Sequence, residues 1–155
     1  MSKLKVGVAG AGVFGTYHAQ KAAASASTEL SGIFDVDAAR GAKAVEPFGV
    51  ESFTDYSELL ERSDAIIVAV PATYHAERVE AALNANRHVL VEKPLALHQV
   101  EARKLAGTAV SNGLILQVGH QERFVAKAMG MFRIEEPPLS LESVRYSPPS
   151  PEGRA

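Results

Sequence analysis

The strongest constraint on the fold is a cluster of three glycines that directly follows an apolar, β-branched run. Gly10, Gly12 and Gly15 come after Leu4–Ala9, and an alanine-rich stretch over 14–24 follows. Apolar runs with β-branched residues favour strands, and the spacing G-x-G-x-x-G is typical of the turn from a strand into a helix. The start of the chain therefore predicts a strand, a tight glycine turn and a helix.

Apolar runs and amphipathic stretches alternate through most of the remaining chain. The run at 65–70 is the most apolar, and its continuous hydrophobicity indicates a strand buried on both faces. This alternation predicts an α/β fold, a doubly wound parallel sheet with helices on both faces. The predicted strands are 4–9, 30–34, 51–53, 65–70, 88–92 and 114–118, and the predicted helices are 14–24 and four more. Asp37, Asp55 and Thr73 are the predicted N-caps of three of these helices, and the fourth begins near His98.

The composition is that of a soluble globular protein. The 155 residues are 46% hydrophobic and 22% charged, and the net charge of −2 gives no basic surface for nucleic acid or an anionic membrane. The lack of cysteine excludes disulfides and thiol catalysis, and no set of histidines and carboxylates has metal-ligand spacing. We therefore expect a cytoplasmic protein without a metal, and without nucleic acid or a membrane as partner.

Each glycine of the turn has a mechanical task if the loop receives a dinucleotide. Gly10 permits the tight bend, Gly12 lets the backbone approach a pyrophosphate, and Gly15 lets the helix pack closely on the strand. The free amides at the helix start, including those of Val13 and Phe14, would bind the phosphates. A dinucleotide cofactor is therefore predicted.

Asp35 supplies the acidic partner that such a loop needs. It lies twenty residues after Gly15, at the end of the second predicted strand, where a carboxylate accepts hydrogen bonds from the adenosine ribose. A carboxylate there repels a 2′-phosphate, so NAD is preferred to NADP. Two alternatives stay open: Asp35 is a solvated loop residue, or Asp37 is the ribose partner rather than only a helix cap.

Glu92 and Lys93 form a charged pair where the fifth predicted strand ends. In open α/β sheets the carboxyl ends of the strands hold the ligand, and Pro94 keeps Lys93 in an extended conformation. A lysine beside a nicotinamide is suited to exchange a proton with a substrate. Position alone leaves the alternative of an ordinary surface lysine open.

Two segments carry a resemblance to a known family. DAIIVAVPATYH at 64–75 and HVLVEKPL at 88–95 resemble the Gfo/Idh/MocA (glucose–fructose oxidoreductase, inositol dehydrogenase) family, and the similarity runs over 3–124. The resemblance implies a Rossmann domain that is followed, in family members, by a second α+β substrate domain. It implies that Lys93 is the catalytic lysine, which bonds the reacting hydroxyl and contacts the cofactor, and that Glu92 lies beside the cofactor. Along the nicotinamide side it places Val70, Pro71, Thr73 and His75.

For the histidines, a purely structural role is the alternative to a contact with a ligand. His75, near a helix start, is either a cofactor contact or a polar residue of the first helical turn. His18 is expected on a helix face rather than at a ligand, and His88 and His98 are expected to be structural.

The segment GHQERF at 119–124 resembles one found in family members that act on sugars and nucleotide sugars. The resemblance makes Arg123 and His120 candidates for substrate binding. In those members Asn-Pro commonly follows, whereas this chain has Val125 and Ala126, so the substrate subclass stays open. The alternative is that Arg123 lies on a helix surface.

The family's second domain carries an Asp-x-x-x-His segment, which this sequence lacks, since its last aspartate is Asp64. We expect a dinucleotide-binding domain over 1–136 and a proline-rich strand and linker over 137–155, with the strand at 141–146, leading to a second domain absent from this chain. Such a piece would bind the dinucleotide but turn over little substrate. It would also lack the surface of the second domain through which family members usually assemble. The longer protein would form a homo-oligomer and the piece a monomer.

For the longer protein the resemblance implies hydride transfer between the nicotinamide and a secondary alcohol of a sugar, inositol or related polyol. Two alternatives remain: a non-catalytic NAD-binding or redox-sensing module, which needs the glycine turn but not Lys93, and an imine or tetrapyrrole reductase.

Overall fold

The computed structural model describes residues 2–130, and within them six parallel strands form one sheet in the order β3-β2-β1-β4-β5-β6. All five strand pairs are parallel. The doubly wound α/β fold expected from the sequence is confirmed. The strands are β1 (Leu4–Ala9), β2 (Thr28–Phe34), β3 (Ser52–Phe53), β4 (Ala65–Val68), β5 (His88–Val91) and β6 (Leu116–Val118), and the helices are α1 (Val13–Ala24), α2 (Ala38–Val45), α3 (Tyr56–Glu61), α4 (His75–Asn84), α5 (Gln99–Ser111) and α6 (Glu122–Ala128).

The sheet is buried on both faces, as the apolar run at 65–70 predicts. Ile66 and Val68 on β4 belong to a core cluster with residues of α3, α4 and α5, whereas Ile67 packs against a second cluster with residues of α1 and α2. Successive side chains of a strand point to opposite faces, so a strand covered on both sides needs apolar residues without alternation.

Two of the predicted helix caps are present and one is wrong. Asp37 accepts a hydrogen bond from the Arg40 amide at 3.0 Å, and Asp55 accepts one from the Ser57 amide at 2.8 Å. Thr73, in contrast, caps no helix. It lies inside a 3₁₀ turn, Ala72–Tyr74, which delays the start of α4 to His75.

The strand order reverses direction between β1 and β4. From β1 the chain proceeds outward to β2 and β3, then returns to place β4 on the other side of β1. Ligands of open α/β sheets bind beyond the carboxyl ends of the strands at such a switch point. The segments that follow Ala9 and Val68 therefore border the expected binding cleft.

The chain divides into two compact units after His120. In the second unit the structure describes α6, in which the Phe124 amide donates to the Gln121 carbonyl oxygen at 2.9 Å. The predicted strand at 141–146, the linker over 137–155 and the domain boundary after residue 136 lie outside the described residues. None of the helices within 2–130 is both long and apolar enough to cross a bilayer.

Candidate functional site

The glycine turn has the steric character that its spacing predicts. Gly10 has φ +104°, and a Cβ there would lie 2.6 Å from the Ala69 carbonyl oxygen. A Cβ on Gly15 would lie 1.7 Å from the Gly10 carbonyl oxygen, so only glycine permits this approach of α1 to the turn. A Cβ on Gly12 would meet no atom of residues 2–130 within 4 Å. The turn is therefore tight on its inner side and open where a ligand would approach.

The start of α1 faces this open side. Gly12 is its N-cap residue, and the side chains of Val13 and Phe14 are exposed. The first amides of a helix have no partner within the helix, and the helix dipole makes this end positive. The geometry fits a diphosphate, as the sequence predicts.

Asp35 is buried directly beside the glycine turn, with 5% of its surface exposed. Its Oδ2 accepts a hydrogen bond from the Ala11 amide at 2.8 Å, and its Oδ1 accepts one from the Asp37 amide at 2.9 Å. The structure thus brings the predicted acidic residue and the predicted phosphate loop together. It also argues against Asp35 as a solvated loop residue.

Arg40, in the first turn of α2, binds the same carboxylate. Its Nε donates to Oδ2 of Asp35 at 3.0 Å, and its Nη2 donates to Oδ1 at 2.6 Å. Burial alone would raise the pKa of Asp35, but the hydrogen bonds from Arg40, Asp37 and Ala11 together hold it below its ordinary value. The same pair raises the pKa of Arg40. Asp35 is therefore a carboxylate with four hydrogen-bond donors.

The segments after β4 and β5 are joined by His75, which is 1% exposed. Its Nδ1 lies 2.6 Å from the Pro94 carbonyl oxygen, and its Nε2 lies 2.9 Å from the Val70 carbonyl oxygen. Both ring nitrogens thus face protein acceptors. This favours the structural alternative for His75, because a hydrogen bond from the ring to a cofactor would require one of these contacts to break.

Glu92, at the end of β5, contacts His18 on α1. Their Oε1 and Nε2 atoms are 2.7 Å apart, and the side chains are 11% and 19% exposed. Lys93 follows immediately, and its side chain is exposed. The predicted residues Pro71 and Thr73 are also exposed, at the end of the neighbouring strand. The carboxyl edge of the sheet therefore presents a lysine beside the loop expected to run along the nicotinamide.

The two candidate substrate residues fall in different units. His120 ends the first unit, where it is exposed and its amide donates to the Val118 carbonyl oxygen at 2.8 Å. Arg123 lies in α6 of the second unit and is exposed. A role of either residue in substrate binding stays a prediction.

Among residues 2–130 no three histidine or carboxylate side chains gather as a metal site.

The sequence profile of an oxidoreductase family with an NAD-binding Rossmann fold matches residues 4–120. The chain belongs to the Gfo/Idh/MocA family. The matched region contains the glycine turn, Asp35 and Lys93, and it ends where the first compact unit ends. The structure around Gly10 to Gly15 is thus that of the family's NAD-binding domain.

Individual relatives agree with this assignment. UDP-N-acetylglucosamine 3-dehydrogenase of Acidithiobacillus ferrooxidans is 37% identical over 79% of this chain and 39% of its own length. A solved structure of that protein superposes with a TM-score of 0.79, at 36% identity, over 86% of this chain and 43% of the other. Inositol 2-dehydrogenase of Salmonella typhimurium is 32% identical over 78% of this chain and 38% of its own length.

A third relative was solved with a bound dinucleotide. A 3-ketoreductase from Actinomadura kijaniata, in complex with NADP, has a TM-score of 0.73 and 33% identity over 84% of this chain and 44% of its own. The chain thus spans about two fifths of the length of these relatives.

Two residues of this Gfo/Idh/MocA domain escaped the sequence reasoning. Arg40 lies five residues after Asp35, and its amide donates a hydrogen bond to the predicted cap Asp37. A cation in the first turn of the helix that Asp37 caps was the available signal in the sequence. His18 was expected on a helix face. It lies three residues after Gly15, on the side of α1 that packs on the sheet with Ala19 and Ala22, and this spacing was the available signal.

Proposed function

We propose that this chain is the cofactor-binding part of an oxidoreductase that moves hydride between a nicotinamide and a secondary alcohol of a sugar, inositol or related polyol. The observation that carries the proposal is the exposed Lys93 at the carboxyl end of β5, on the same sheet edge as the glycine turn. A domain that only stored or sensed the dinucleotide would need the turn but no lysine there.

The residues along the carboxyl edge of the sheet have different roles in this proposal. The amides at the start of α1 bind the diphosphate, and Asp35 accepts hydrogen bonds from the adenosine ribose. Lys93 donates a hydrogen bond to the substrate hydroxyl oxygen and helps to move its proton. When bound, the nicotinamide supplies the acceptor or donor of hydride at C4.

The named relatives support the substrate class. One is named for a nucleotide sugar and another for inositol, and both names describe dehydrogenases. Arg123 and His120, which the sequence associates with sugar-binding members, are proposed to contact the substrate. We further propose that the protein acts in the cytoplasm, consistent with its lack of cysteine, and that the longer protein is a homo-oligomer.

NAD is the proposed cofactor, and NADP is a second candidate because of one observation. The Arg40 guanidinium is half exposed next to Asp35, where it can receive the 2′-phosphate of NADP. The relative from Actinomadura kijaniata was solved with NADP.

The test uses the full-length protein that the gene encodes. Lys93→Ala should lower kcat at least about 100-fold on the polyol or nucleotide sugar that the wild type oxidises, with the Kd for NAD changed less than about threefold. Turnover is followed by NADH absorbance, and NAD binding by calorimetry. Lys104→Ala is the control, since Lys104 is an exposed lysine of α5 that pairs with Glu80. Normal turnover of Lys93→Ala would remove Lys93 from the reaction.

A further inference from the structure

The segment Glu92–Pro94 is held at both ends by histidines that come from opposite faces of the sheet. His18 lies on α1, which covers one face, and His75 begins α4, which covers the other. His18 contacts the Glu92 carboxylate, and His75 contacts the Pro94 carbonyl oxygen. Lys93 lies between these two anchored residues.

At the first end, three elements of the fold fix the position of Glu92. Its amide donates to the Val68 carbonyl oxygen at 2.9 Å, which continues the pairing of β5 with β4. Its carboxylate contacts His18 and lies over Gly119 after β6, where an added Cβ would come within 3.4 Å of the carboxylate atoms. The carboxylate thus packs directly against the backbone of Gly119.

At the second end, His75 links two backbone segments. A carbonyl oxygen only accepts, so the ring donates an N–H to the Val70 or the Pro94 oxygen, in either tautomer. Because the ring is buried, rotation away from these oxygens would leave polar groups unpaired. The buried ring therefore lies between the end of β4 and the residue after Lys93 and contacts both.

We propose that His18 and His75 are positioning residues, which hold the Glu92–Pro94 segment so that Glu92 and Lys93 face the nicotinamide half of the bound dinucleotide. This proposal rests on the proposed function. Its physical basis is that a displacement of about 1 Å at a reacting group costs about 100-fold in rate, whereas an exposed lysine on an unrestrained segment would sample many positions. The two histidines act through Glu92 and Pro94.

Binding of the two halves of the dinucleotide distinguishes a positioning role of the histidines from a purely stabilising one. ADP-ribose contains the diphosphate and the adenosine but lacks the nicotinamide. A histidine that merely stabilises the fold affects NAD and ADP-ribose equally. A histidine that positions the nicotinamide side weakens NAD and leaves ADP-ribose unchanged.

The experiment measures the Kd of NAD and of ADP-ribose by calorimetry on the 155-residue chain, and the emission of bound NADH as a probe of the nicotinamide environment. For His18→Ala we expect NAD binding to weaken about 5- to 10-fold, ADP-ribose binding to change less than about twofold, and the emission of bound NADH to shift towards that of free NADH. His18→Gln retains an N–H donor for Glu92 and should recover most of both signals.

His88→Ala is the matched control. His88 starts β5 at the opposite sheet edge and accepts a hydrogen bond from the Ile115 amide at 3.1 Å. Its loss should lower the Tm without altering the ratio of the NAD and ADP-ribose affinities. His75→Leu, which has no donor for the Val70 and Pro94 oxygens, should behave as His18→Ala does, and the His18 variants decide the matter if the buried His75 variant does not fold.

Three results would overturn the positioning role: parallel weakening of both ligands in His18→Ala, no change in either the affinities or the NADH emission, or free-like NADH emission already in the wild type. Failure of the wild type to bind either ligand would instead refute the proposed function itself.

Discussion

The two sides of the binding edge are built in different ways. On the side of β2, two of the three partners of Asp35 are close to it in sequence, since Asp37 and Arg40 are 2 and 5 positions away, and the third, Ala11, is 24 positions away in the neighbouring strand–helix turn. On the side of β5, the contact between His18 and Glu92 spans 74 positions. The first side is therefore contained in one strand–helix–strand unit, whereas the second needs segments from distant parts of the chain.

The two sides also differ in what they leave accessible. Four donors surround the Asp35 carboxylate, so ribose hydroxyls must share it with Arg40 or displace Arg40. Lys93, in contrast, is exposed on a segment held at both ends. The β2 side thus offers a buried acceptor next to a half-exposed cation, and the β5 side offers an exposed donor on a restrained backbone.

The largest effect is expected from a substitution in the glycine turn, on the β2 side of the binding edge. Gly15→Ala would place a Cβ 1.7 Å from the Gly10 carbonyl oxygen, so α1 must move away from the turn. We expect a loss of about 3 kcal/mol or more in the free energy of unfolding and no measurable NAD binding. Gly12→Ala is the control, because its Cβ meets no atom of the described part of the chain within 4 Å and the fold should survive. Chemical denaturation measures both, and equal stability of the two variants would contradict the packing argument.

A smaller effect is expected from Asp35→Asn. This change removes the charge that Arg40 and two backbone amides bind, and we expect a loss of about 1–3 kcal/mol at neutral pH. Because the pKa of Asp35 is lowered in the folded state, its contribution is complete above the unfolded value of about 3.9 and is lost as the pH falls through the lower folded value. The difference in stability between wild type and variant should therefore shrink below about pH 4. A difference independent of pH between 7 and 3 would show that the carboxylate charge is not what stabilises this region.

The smallest expected effect concerns Arg40 and sharpens the question of cofactor preference. Arg40→Ala uncovers two acceptor positions on Asp35 and removes the cation beside them. NADP binding should weaken about 10-fold, whereas NAD binding should change less than about threefold. Calorimetry with both dinucleotides gives the ratio, and Arg62→Ala controls for loss of a surface arginine that pairs with Glu51. A greater loss for NAD than for NADP would place Arg40 outside the site of the 2′-phosphate.

The sequence predicted the sheet and the β2 side well because their signals are local. Hydrophobic runs locate the strands, and Gly10, Gly12, Gly15 and Asp35 have a spacing with a known mechanical meaning. The 65–70 strand was two residues too long in prediction, since Ala69 and Val70 are apolar but already belong to the loop at the cleft. Hydrophobicity reports burial and does not report where strand pairing ends.

The β5 side was predicted only in part, and the reason is geometric. Lys93 and Glu92 were identified from their place at a strand end and from family resemblance. The partners His18 and His75 depend on how α1 and α4 cross the sheet, which no short sequence window contains. Thr73 was wrong for a related reason, because a 3₁₀ turn and a helical first turn have similar sequence preferences.

The hydrogen bond from the Ala11 amide to Asp35 has a consequence for engineering. Asp35, the residue that would determine the cofactor preference, also connects the phosphate loop to the end of β2 through this hydrogen bond. A redesign towards NADP that simply deletes this carboxylate would loosen the loop that must receive the diphosphate. A replacement by asparagine keeps one acceptor oxygen for the Ala11 amide but loses the second, which accepts from Asp37, so a change of cofactor preference at this position also lowers the stability of the loop.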